Sequence, residues 1–397
     1  MKLAARLQNI QASPTMAVAA KAKALMARGI DITLLGLGEP DFPSPEVASE
    51  AAIEAVRAGF TKYTPPSGTD ELKTAILQKL KRDNGLEYEK NEIIVSCGAK
   101  HTLYNIAQVL FEAGDEVIVP APYWVSYPDQ ILLAGATPVF IETKETNGFL
   151  ITPDQLKKAI GPNTKGLILN SPSNPTGRLY RREHYEALTE ILLETDLTII
   201  SDEIYEKFLY DGAEHVSIAS LHPELKRKTI VVNGVSKAYS MTGWRIGYAA
   251  GPKGVVAAMS MVQSQSTSNP ASISQKAAVA ALQEGGAFID GMVSEFEKRR
   301  NIMVRRLNGI KGIQTSSPAG SFYLFPNVKE SLGKAYKNGP IQNAIDLATY
   351  LLEEGGVATV PGEAFGAPGY LRISYASPIE ILSKGLDKIE QALSKLS

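Results

Sequence analysis

The sequence is poor in the residues that thiol, metal or membrane chemistry requires. Cysteine occurs once, at Cys97, which excludes an intrachain disulfide and a thiolate-rich metal site. No apolar run approaches the ~18 residues that a transmembrane helix needs. An excess of charge is missing too, since 41 Lys and Arg face 42 Asp and Glu and leave a net charge of -1. This balance argues against a polyanionic partner. We therefore predict neither a membrane nor a nucleic-acid partner.

Several familiar catalytic motifs are absent as well. The sequence contains no Gly-Lys-Ser/Thr phosphate loop and no Gly-x-Ser-x-Gly nucleophile elbow. Its four histidines have no metal-ligand spacing, and we predict no metal site. They are His101, His184, His215 and His222.

The N-terminal residues 1–30 are basic, with no acid before Asp31, which superficially resembles a transit peptide. The interpretation we favour is a surface helix from Met16 to Arg28. Its spacing predicts that Met16, Ala19, Ala20 and Ala27 pack on the body of the protein. No secretory signal is visible, and a single cysteine fits a reducing cytosol, so we expect a cytoplasmic location.

The length of 397 residues corresponds to two or three domains at ~150 residues each, and 44% of the residues are hydrophobic, as in ordinary globular proteins. Short β-rich runs alternate with helix-length amphipathic segments, which predicts an α/β fold with a largely parallel sheet. The predicted strands are Glu92–Ser96, Glu116–Val119, Pro138–Glu142, Gly166–Asn170, Leu197–Ser201, Thr229–Asn233 and Ile246–Ala250. The predicted helices include Gly98–Phe111, Trp124–Ala134, Arg181–Leu193 and Lys253–Gln263.

The pattern changes after about residue 285, where a long charged helix precedes short strands and two further helices, as in an α+β module. We therefore predict a large domain over 45–287. A smaller domain would combine 288–397 with the N-terminal segment 1–44. At the start of the large domain, Ser44-Pro45-Glu46 reads as an N-cap, a first-position proline and a first-turn acid.

Polar residues follow the predicted strands, and in an open parallel sheet ligands bind beyond the carboxyl ends of the strands. An amide, an acid, a phenol, a lysine and an arginine would therefore meet at one edge. They are Asn174, Asp202, Tyr205, Lys237 and Arg245.

Taken singly, these residues also allow bland interpretations. Asp202 could cap a helix, the 171–177 segment could be a proline-rich turn, and Lys237 could be a solvated loop lysine. Arg372 alternates with apolar neighbours on a predicted strand, so it faces either solvent or a carboxylate.

Taken together, the residues resemble the class I aminotransferases of the pyridoxal-phosphate fold-type I superfamily, in the bacterial aspartate aminotransferase branch. The resemblance covers essentially the whole chain, and because it begins near Leu7 it leaves no room for an added transit peptide. The segments that carry it are Gly38-Glu39-Pro40-Asp41-Phe42, Lys62-Tyr63, Pro122-Tyr123-Trp124, Ser173-Asn174-Pro175-Thr176-Gly177, Ser201-Asp202-Glu203-Ile204-Tyr205, Ser236-Lys237, Gly243-Trp244-Arg245 and Arg372.

The resemblance implies a fold-type I transferase that depends on pyridoxal 5′-phosphate, with a role for each residue at the cofactor ring. Lys237 would bond the cofactor covalently and then act as general base and acid. Asp202 would pair with the pyridine nitrogen. Tyr205 and Asn174 would bond the phenolic oxygen of the ring, and Trp124 would stack on its face.

The resemblance also implies a cradle for the cofactor phosphate. The start of the helix at Gly98, Ala99 and Lys100 offers backbone N–H groups to an anion. Ser236 and Arg245 would complete the cradle. Tyr63 would reach in from a second subunit, which implies a homodimer with shared active sites.

For an amino acid and a 2-oxo acid as substrates, the resemblance implies that Arg372 grips the α-carboxylate, helped by Asn174, Trp124 and the backbone of Gly38. Animal and enteric relatives bind the distal carboxylate through a second arginine. Here no arginine occurs between Arg245 and Arg299, so the stretch that corresponds in sequence, 264–269, lacks one.

In the bacterial branch a lysine at the position of Lys100 supplies that cation, although Lys100 could also face solvent at a helix start. Together with a threonine matching Thr15, such a lysine accompanies prephenate amination in some members. Aspartate and prephenate are therefore both predicted substrates.

Three alternatives remain. An aminotransferase for alanine or aromatic substrates would not use Lys100 for the distal group. A carbon–sulfur lyase or a cyclopropane-forming synthase could use the same fold and cofactor. A non-enzymatic binding protein is disfavoured by the intact set of site residues.

Overall fold

The fold is built from helices and strands that alternate along most of the chain. The computed structural model describes residues 2–10, 14–336 and 339–397. In these ranges the strands are β1 Thr33–Leu34, β2 Ile93–Ser96, β3 Glu116–Ala121, β4 Thr137–Glu142, β5 Thr164–Asn170, β6 Thr198–Asp202, β7 Thr229–Gly234, β8 Gly247–Ala250, β9 Tyr323–Leu324, β10 Ala335–Tyr336, β11 Gly339–Pro340, β12 Val357–Ala358, β13 Val360–Pro361 and β14 Leu371–Ser374.

The α-helices of the same ranges surround these strands. They are α1 Pro14–Ala27, α2 Glu46–Arg57, α3 Asp70–Asn84, α4 Ala99–Leu110, α5 Ser126–Leu133, α6 Pro153–Ala159, α7 Arg182–Leu193, α8 Pro223–Lys228, α9 Lys253–Ser264, α10 Ser272–Glu284, α11 Gly286–Gly309, α12 Ala344–Glu353 and α13 Ile379–Leu393.

A seven-stranded sheet lies at the centre, with strand order β2-β8-β7-β6-β5-β3-β4. The strands from β7 through β4 pair in parallel, and β8 is antiparallel to both of its neighbours, β2 and β7. The predicted α/β fold with a largely parallel sheet is confirmed. All seven predicted strands are present, with ends that agree within two residues.

Alternation along the strands sends apolar side chains to both faces of this sheet. In β2, Ile94 packs in a cluster with α4, α5 and α9, whereas Ile93 and Val95 pack in another with α2, α3 and α10. Helices α6, α7 and α8 cover the second face near β3, β5 and β6. Because both faces are buried, the strands are nearly continuous apolar runs.

A second core contains the C-terminal helices α11, α12 and α13 together with β9 and β14. Leu35 of the N-terminal segment belongs to it, and β1 pairs in parallel with β12. Tyr205 and Phe208, which follow β6, also contribute side chains to this core. The boundaries drawn at 44/45 and 287/288 stay a prediction.

Two local predictions need correction. The helix predicted from Met16 to Arg28 is present as α1, but it packs through Val18, Ala22 and Leu25, at i, i+4 and i+7. Met16 is 69% exposed instead of packing on the body, since it lies on another side of this helix. Within the described ranges, no helix has both the length and the apolar character needed to cross a bilayer.

The second correction concerns the start of α2. Pro45 is the N-cap residue there, and Ser44 does not cap the helix. The Ser44 hydroxyl instead donates to the Ser240 carbonyl and accepts from the Trp244 indole N–H at 2.9 Å. A partner distant in sequence thus replaced the local one.

The close approach of α4 to β8 generates a stability prediction. A Cβ on Gly247 would lie 2.1 Å from the backbone nitrogen of Ala99, so Gly247→Ala must push the helix start away from the sheet. We expect a loss of about 1–3 kcal/mol in the free energy of unfolding, as in other overpacked interiors. Urea denaturation measures it.

The matched control is Gly254→Ala in α9, where a Cβ would meet nothing within 4 Å. It should leave stability unchanged or raise it by up to about 1 kcal/mol, because alanine favours helix over glycine. Equal effects of the two substitutions would contradict the packing argument.

Candidate active site

A cavity of about 480 Å³ lies at the carboxyl ends of β5, β6 and β7, where ligands bind in sheets of this kind. Most of the residues that the sequence analysis assigned to a site line this cavity. They are Thr15, Gly38, Ala99, Lys100, Trp124, Asn174, Asp202, Tyr205, Ser236, Lys237, Arg245 and Arg372.

Lys237 follows the end of β7 and is held by the backbone of another segment. Its amine donates a hydrogen bond to the Gly38 carbonyl. Loss of solvent is the main reason why the pKa of Lys237 falls to about 8, and Glu39 opposes this shift while Arg372 adds to it. An amine with this pKa is neutral in about a tenth of the molecules at pH 7, far more than an ordinary lysine, and only the neutral form acts as a nucleophile or base.

Asp202 ends β6 and is the carboxylate of the site. It is 4% exposed and accepts from the Tyr127 hydroxyl at 2.7 Å and from the Ile204 backbone N–H at 3.2 Å. Burial raises its pKa to about 6, although both hydrogen bonds favour the ionised form. The side chain is thus mainly a carboxylate at neutral pH, in a position suited to a cationic partner.

Arg372 of β14 lies inside the cavity wall and not on a solvated face. It is 3% exposed and donates from Nη1 to the Asn174 side chain and from Nη2 to the Gly36 carbonyl, both at 2.9 Å. Its guanidinium lies 4.4 Å from the ring centroid of Tyr323. The buried Nε has no hydrogen-bond partner among the described residues. A planar cation with an unused donor suits a carboxylate ligand.

Tyr205 connects the sheet to this arginine. Its hydroxyl lies 3.1 Å from the hydroxyl of Tyr323, the residue under the Arg372 guanidinium. Burial is the main reason why the pKa of Tyr205 is well above its ordinary value. The phenol therefore stays protonated and can donate a hydrogen bond into the cavity.

The start of α4 faces Arg245 across Gly98. Gly98 has φ +87°, and a Cβ there would lie 2.3 Å from Arg245 Nη2. Arg245, itself left-handed at φ +59°, donates to the carbonyls of Thr242 at 2.9 Å and Cys97 at 3.3 Å. First-turn N–H groups of a helix lack partners within the helix, so this corner combines a guanidinium with free backbone donors.

Lys100 leaves the first turn of α4 toward Trp124. Its Nζ lies 4.9 Å from the indole centroid, and Trp124 packs edge-on against Tyr127. Partial burial, and then Arg245, lower the pKa of Lys100. Lys100 is an exposed residue at a helix start, and its side chain also lines the cavity.

Two of the predicted residues do not line the cavity. Tyr63 is 92% exposed. Gly98 has no side chain, and the Arg245 guanidinium occupies the space that a Cβ there would take. Both placements are compatible with the roles given above without testing them.

The sequence analysis assigned no site role to several residues of the cavity wall, among them Glu39, Tyr127, Asn170 and Tyr323. Glu39 accepts from the Thr242 hydroxyl at 2.8 Å, and Asn170 donates to the Asp202 carbonyl at 2.9 Å. Tyr127 and Tyr323 bond to Asp202 and Tyr205 as described. Tyr127 comes three residues after Trp124, and Asn170 ends a predicted strand, so spacing could have found these two.

A mostly parallel sheet carries a desolvated lysine and a buried carboxylate at its carboxyl edge, and two arginines line the same cavity. This combination is typical of an α/β enzyme that acts on carboxylates through an amine. Comparison of the chain with known proteins identifies the family within this class of enzymes. The family model "Aminotransferase class I and II" matches residues 30–389. The chain therefore belongs to the class I and II aminotransferase family.

Related sequences align with nearly the full length of this chain. The aspartate aminotransferase of Geobacillus stearothermophilus is 51% identical over 391 residues, 98% of each chain. The aspartate/prephenate aminotransferase of Nitrosomonas europaea is 47% identical, over 99% of this chain and 100% of that protein. The crystal structure of the Rhizobium meliloti aspartate aminotransferase superimposes with a TM-score of 0.97 at 44% identity, over 100% of both chains.

A structure of the Thermus thermophilus aspartate aminotransferase with maleate gives a TM-score of 0.93 at 42% identity, over 99% of this chain and 100% of that one.

The environment of Lys237 predicts its titration. In the cofactor-free protein we expect the amine to lose its proton with a midpoint near pH 8. Lys253, paired with Glu89, should titrate above the ordinary lysine value, because the carboxylate raises its pKa. Competitive acetylation across pH, read for each peptide by mass spectrometry, measures both midpoints in one sample.

Glu39→Gln should move the Lys237 midpoint to lower pH, since the Glu39 carboxylate favours the charged amine. Equal midpoints for Lys237 and Lys253 would contradict the desolvation argument.

Proposed function

We propose that this chain is an aspartate aminotransferase that uses pyridoxal 5′-phosphate. It moves the amino group between L-aspartate or L-glutamate and the 2-oxo acids oxaloacetate and 2-oxoglutarate by a ping-pong mechanism. The observation that carries the proposal is the convergence of Lys237, Asp202 and Arg372 on one cavity. The names of the full-length relatives support the choice of substrate.

The residues present fit this cofactor. Its pyridinium N–H requires a buried acceptor, and the Asp202 carboxylate is 4% exposed and ionised at neutral pH. Its phosphate requires a donor-rich corner, and the absence of a side chain at Gly98 lets the Arg245 guanidinium lie beside the start of α4. Ser236 and Ala99 line the same cavity.

When bound, pyridoxal 5′-phosphate supplies the electron sink that makes the substrate Cα–H bond acidic. Lys237 would hold the cofactor through its side-chain amine, and the same amine would serve as the proton carrier at the substrate Cα. Its neutral amine then removes the proton from Cα, and the resulting ammonium returns a proton later in the half-reaction. The pKa near 8 suits both directions at neutral pH.

The other residues orient the substrate and the cofactor relative to each other. Arg372 binds the α-carboxylate, with Asn174 and the Gly38 backbone beside it. Asp202 would keep the ring nitrogen protonated, Tyr205 and Asn174 would donate to the phenolic oxygen, and Trp124 would stack on the ring face. Positioning of this kind accounts for a large part of the barrier lowering in bimolecular reactions.

For the distal carboxylate we assign Lys100. It is a cavity-lining cation on α4, and a lysine on a flexible stem adapts to acids of different length. The Thermus relative has been solved with maleate, a dicarboxylate. Thr15 lines the same cavity from α1, and the name of the Nitrosomonas relative extends the proposal to prephenate as an amino acceptor.

The active form is proposed to be a cytoplasmic homodimer with shared sites. Tyr63, at 92%, is the most exposed of the large apolar or aromatic side chains in the described ranges, and Ile53 and Val56 of α2 are 41% and 52% exposed. Ile53 and Val56 are three residues apart on α2 and therefore lie on one side of that helix, and exposed apolar side chains support an interface. In the dimer, the partner's Tyr63 would complete the phosphate cradle.

Half-reactions test the function. The protein loaded with pyridoxal 5′-phosphate receives L-aspartate, L-glutamate, L-alanine or L-phenylalanine singly, and the cofactor spectrum is followed. We expect aspartate and glutamate to convert it to the pyridoxamine form, and oxaloacetate, 2-oxoglutarate and prephenate to reverse the change. Accumulation of ammonia or pyruvate without conversion would instead identify a lyase.

The Lys100 assignment predicts a change of specificity. Lys100→Ala should lower kcat/KM for aspartate about 10- to 100-fold, the range expected when a charged group loses its hydrogen-bond partner. The value for alanine should change less than about threefold, because alanine has no distal carboxylate to lose. Lys253→Ala, a surface lysine paired with Glu89, is the control. An unchanged ratio of aspartate to alanine would refute the assignment.

A further inference from the structure

The turn after β6 has two chemically different faces. Asp202 and Tyr205 line the active-site cavity, whereas Glu203 and Glu206 do not. The turn is closed by the Glu206 N–H, which donates to the Glu203 carbonyl at 2.9 Å, and the Glu203 N–H donates to Val232 of β7 at 2.9 Å. Any rotation of this turn therefore moves both faces together.

A network of ionisable side chains occupies the face away from the cavity. It consists of Lys79, Glu203, Glu206 and His215, whose side chains are 3%, 1%, 5% and 8% exposed. We refer to these four residues as the buried network. They come from α3, from the turn itself and from the loop that follows it, so the network ties the turn to two other segments.

Each carboxylate oxygen of the network has a donor. Glu203 accepts from the Ser201 and Ser217 hydroxyls at 2.8 and 2.6 Å and lies 3.0 Å from the His215 Nε2. Glu206 pairs with the Lys79 amine and accepts from the Asn84 side chain at 2.8 Å. Glu203, Glu206 and His215 also have the grouping of a metal site, but the Lys79 amine already neutralises Glu206.

Stability alone does not explain such a network. Charges taken out of water lose so much solvation that well-packed apolar residues in their place are often as stable or more stable. Buried polar groups do, however, favour a single arrangement when their hydrogen bonds are made. All four carboxylate oxygens of this network have a partner, and the one buried atom of the network without a partner among the described residues is the His215 Nδ1. Here the arrangement that they fix is the orientation of the turn that carries Asp202 and Tyr205.

We propose that the buried network, through Glu203 above all, positions Asp202 against the ring nitrogen of the cofactor. Glu203 and Ser217 are thus positioning residues that never touch the ligand. The inference rests on the proposed function, because it concerns the same carboxylate. It adds a requirement that lies outside the cavity, on the opposite side of the turn.

The test compares two ligands that differ at one atom. One is pyridoxal 5′-phosphate, and the other is its analogue with carbon in place of the pyridine nitrogen. In Glu203→Gln and Ser217→Ala we expect the Kd of pyridoxal 5′-phosphate to rise about tenfold, an effect typical of losing a partner that orients a ligand-binding side chain. The Kd of the analogue should change less than about threefold. Ser217→Ala removes no charge and serves where Glu203→Gln folds poorly.

The control is Asp211→Asn, which removes the charge and leaves at most one of the two bonds, of 2.7 and 2.8 Å, between Asp211 and the buried Arg300. It disturbs a buried charge elsewhere and should lower stability without changing the Kd of either ligand. Equal weakening of both ligands in the Glu203 and Ser217 variants, or no weakening, would overturn the positioning role. If the wild-type protein binds both ligands equally, the proposed use of Asp202 fails instead, and the two failures are thus distinguishable.

Discussion

The burial of ionisable side chains at the carboxyl edge of the sheet is the constraint on which the site depends. It lowers the pKa of Lys237 to about 8 and raises that of Asp202 to about 6, so both groups titrate near neutral pH. Each charge placed there must have a donor or acceptor nearby, because an unpaired buried charge is very costly. The hydrogen bonds from Tyr127 to Asp202 and from Arg372 to Asn174 meet that requirement.

The sheet can be read from the sequence because its strands are short apolar runs buried on both faces, such as 93–96 and 229–234. Their carboxyl ends also mark where polar residues gather, which is why Asp202 and Lys237 could be placed at one edge. The exact roles came from the resemblance and not from the pattern, since a lone lysine or aspartate after a strand has several possible uses.

Contacts between segments that are distant in sequence could not be predicted from the sequence. Nothing in the local sequence pairs Tyr205 with Tyr323 or Lys79 with Glu206, because these partners are brought together only by the tertiary fold. The prediction of which side of α1 is buried was wrong for a similar reason. An alanine-rich helix has a weak apolar face, and the contacts of α1 with Leu352 and Ala358 decide which side is buried. Ser44 likewise found its partner almost 200 residues away.

The reversal of direction at β8 has a consequence for how the site can vary. Because β8 runs antiparallel to β7, the connection over 235–246 leaves and re-enters the sheet at the same edge. One continuous segment therefore carries Lys237, Thr242 and Arg245, and its length determines the distance between the Lys237 amine and the Arg245 guanidinium. Insertions and deletions elsewhere on the rim can reshape the substrate pocket independently. In this segment they would change the spacing of the two cations at once.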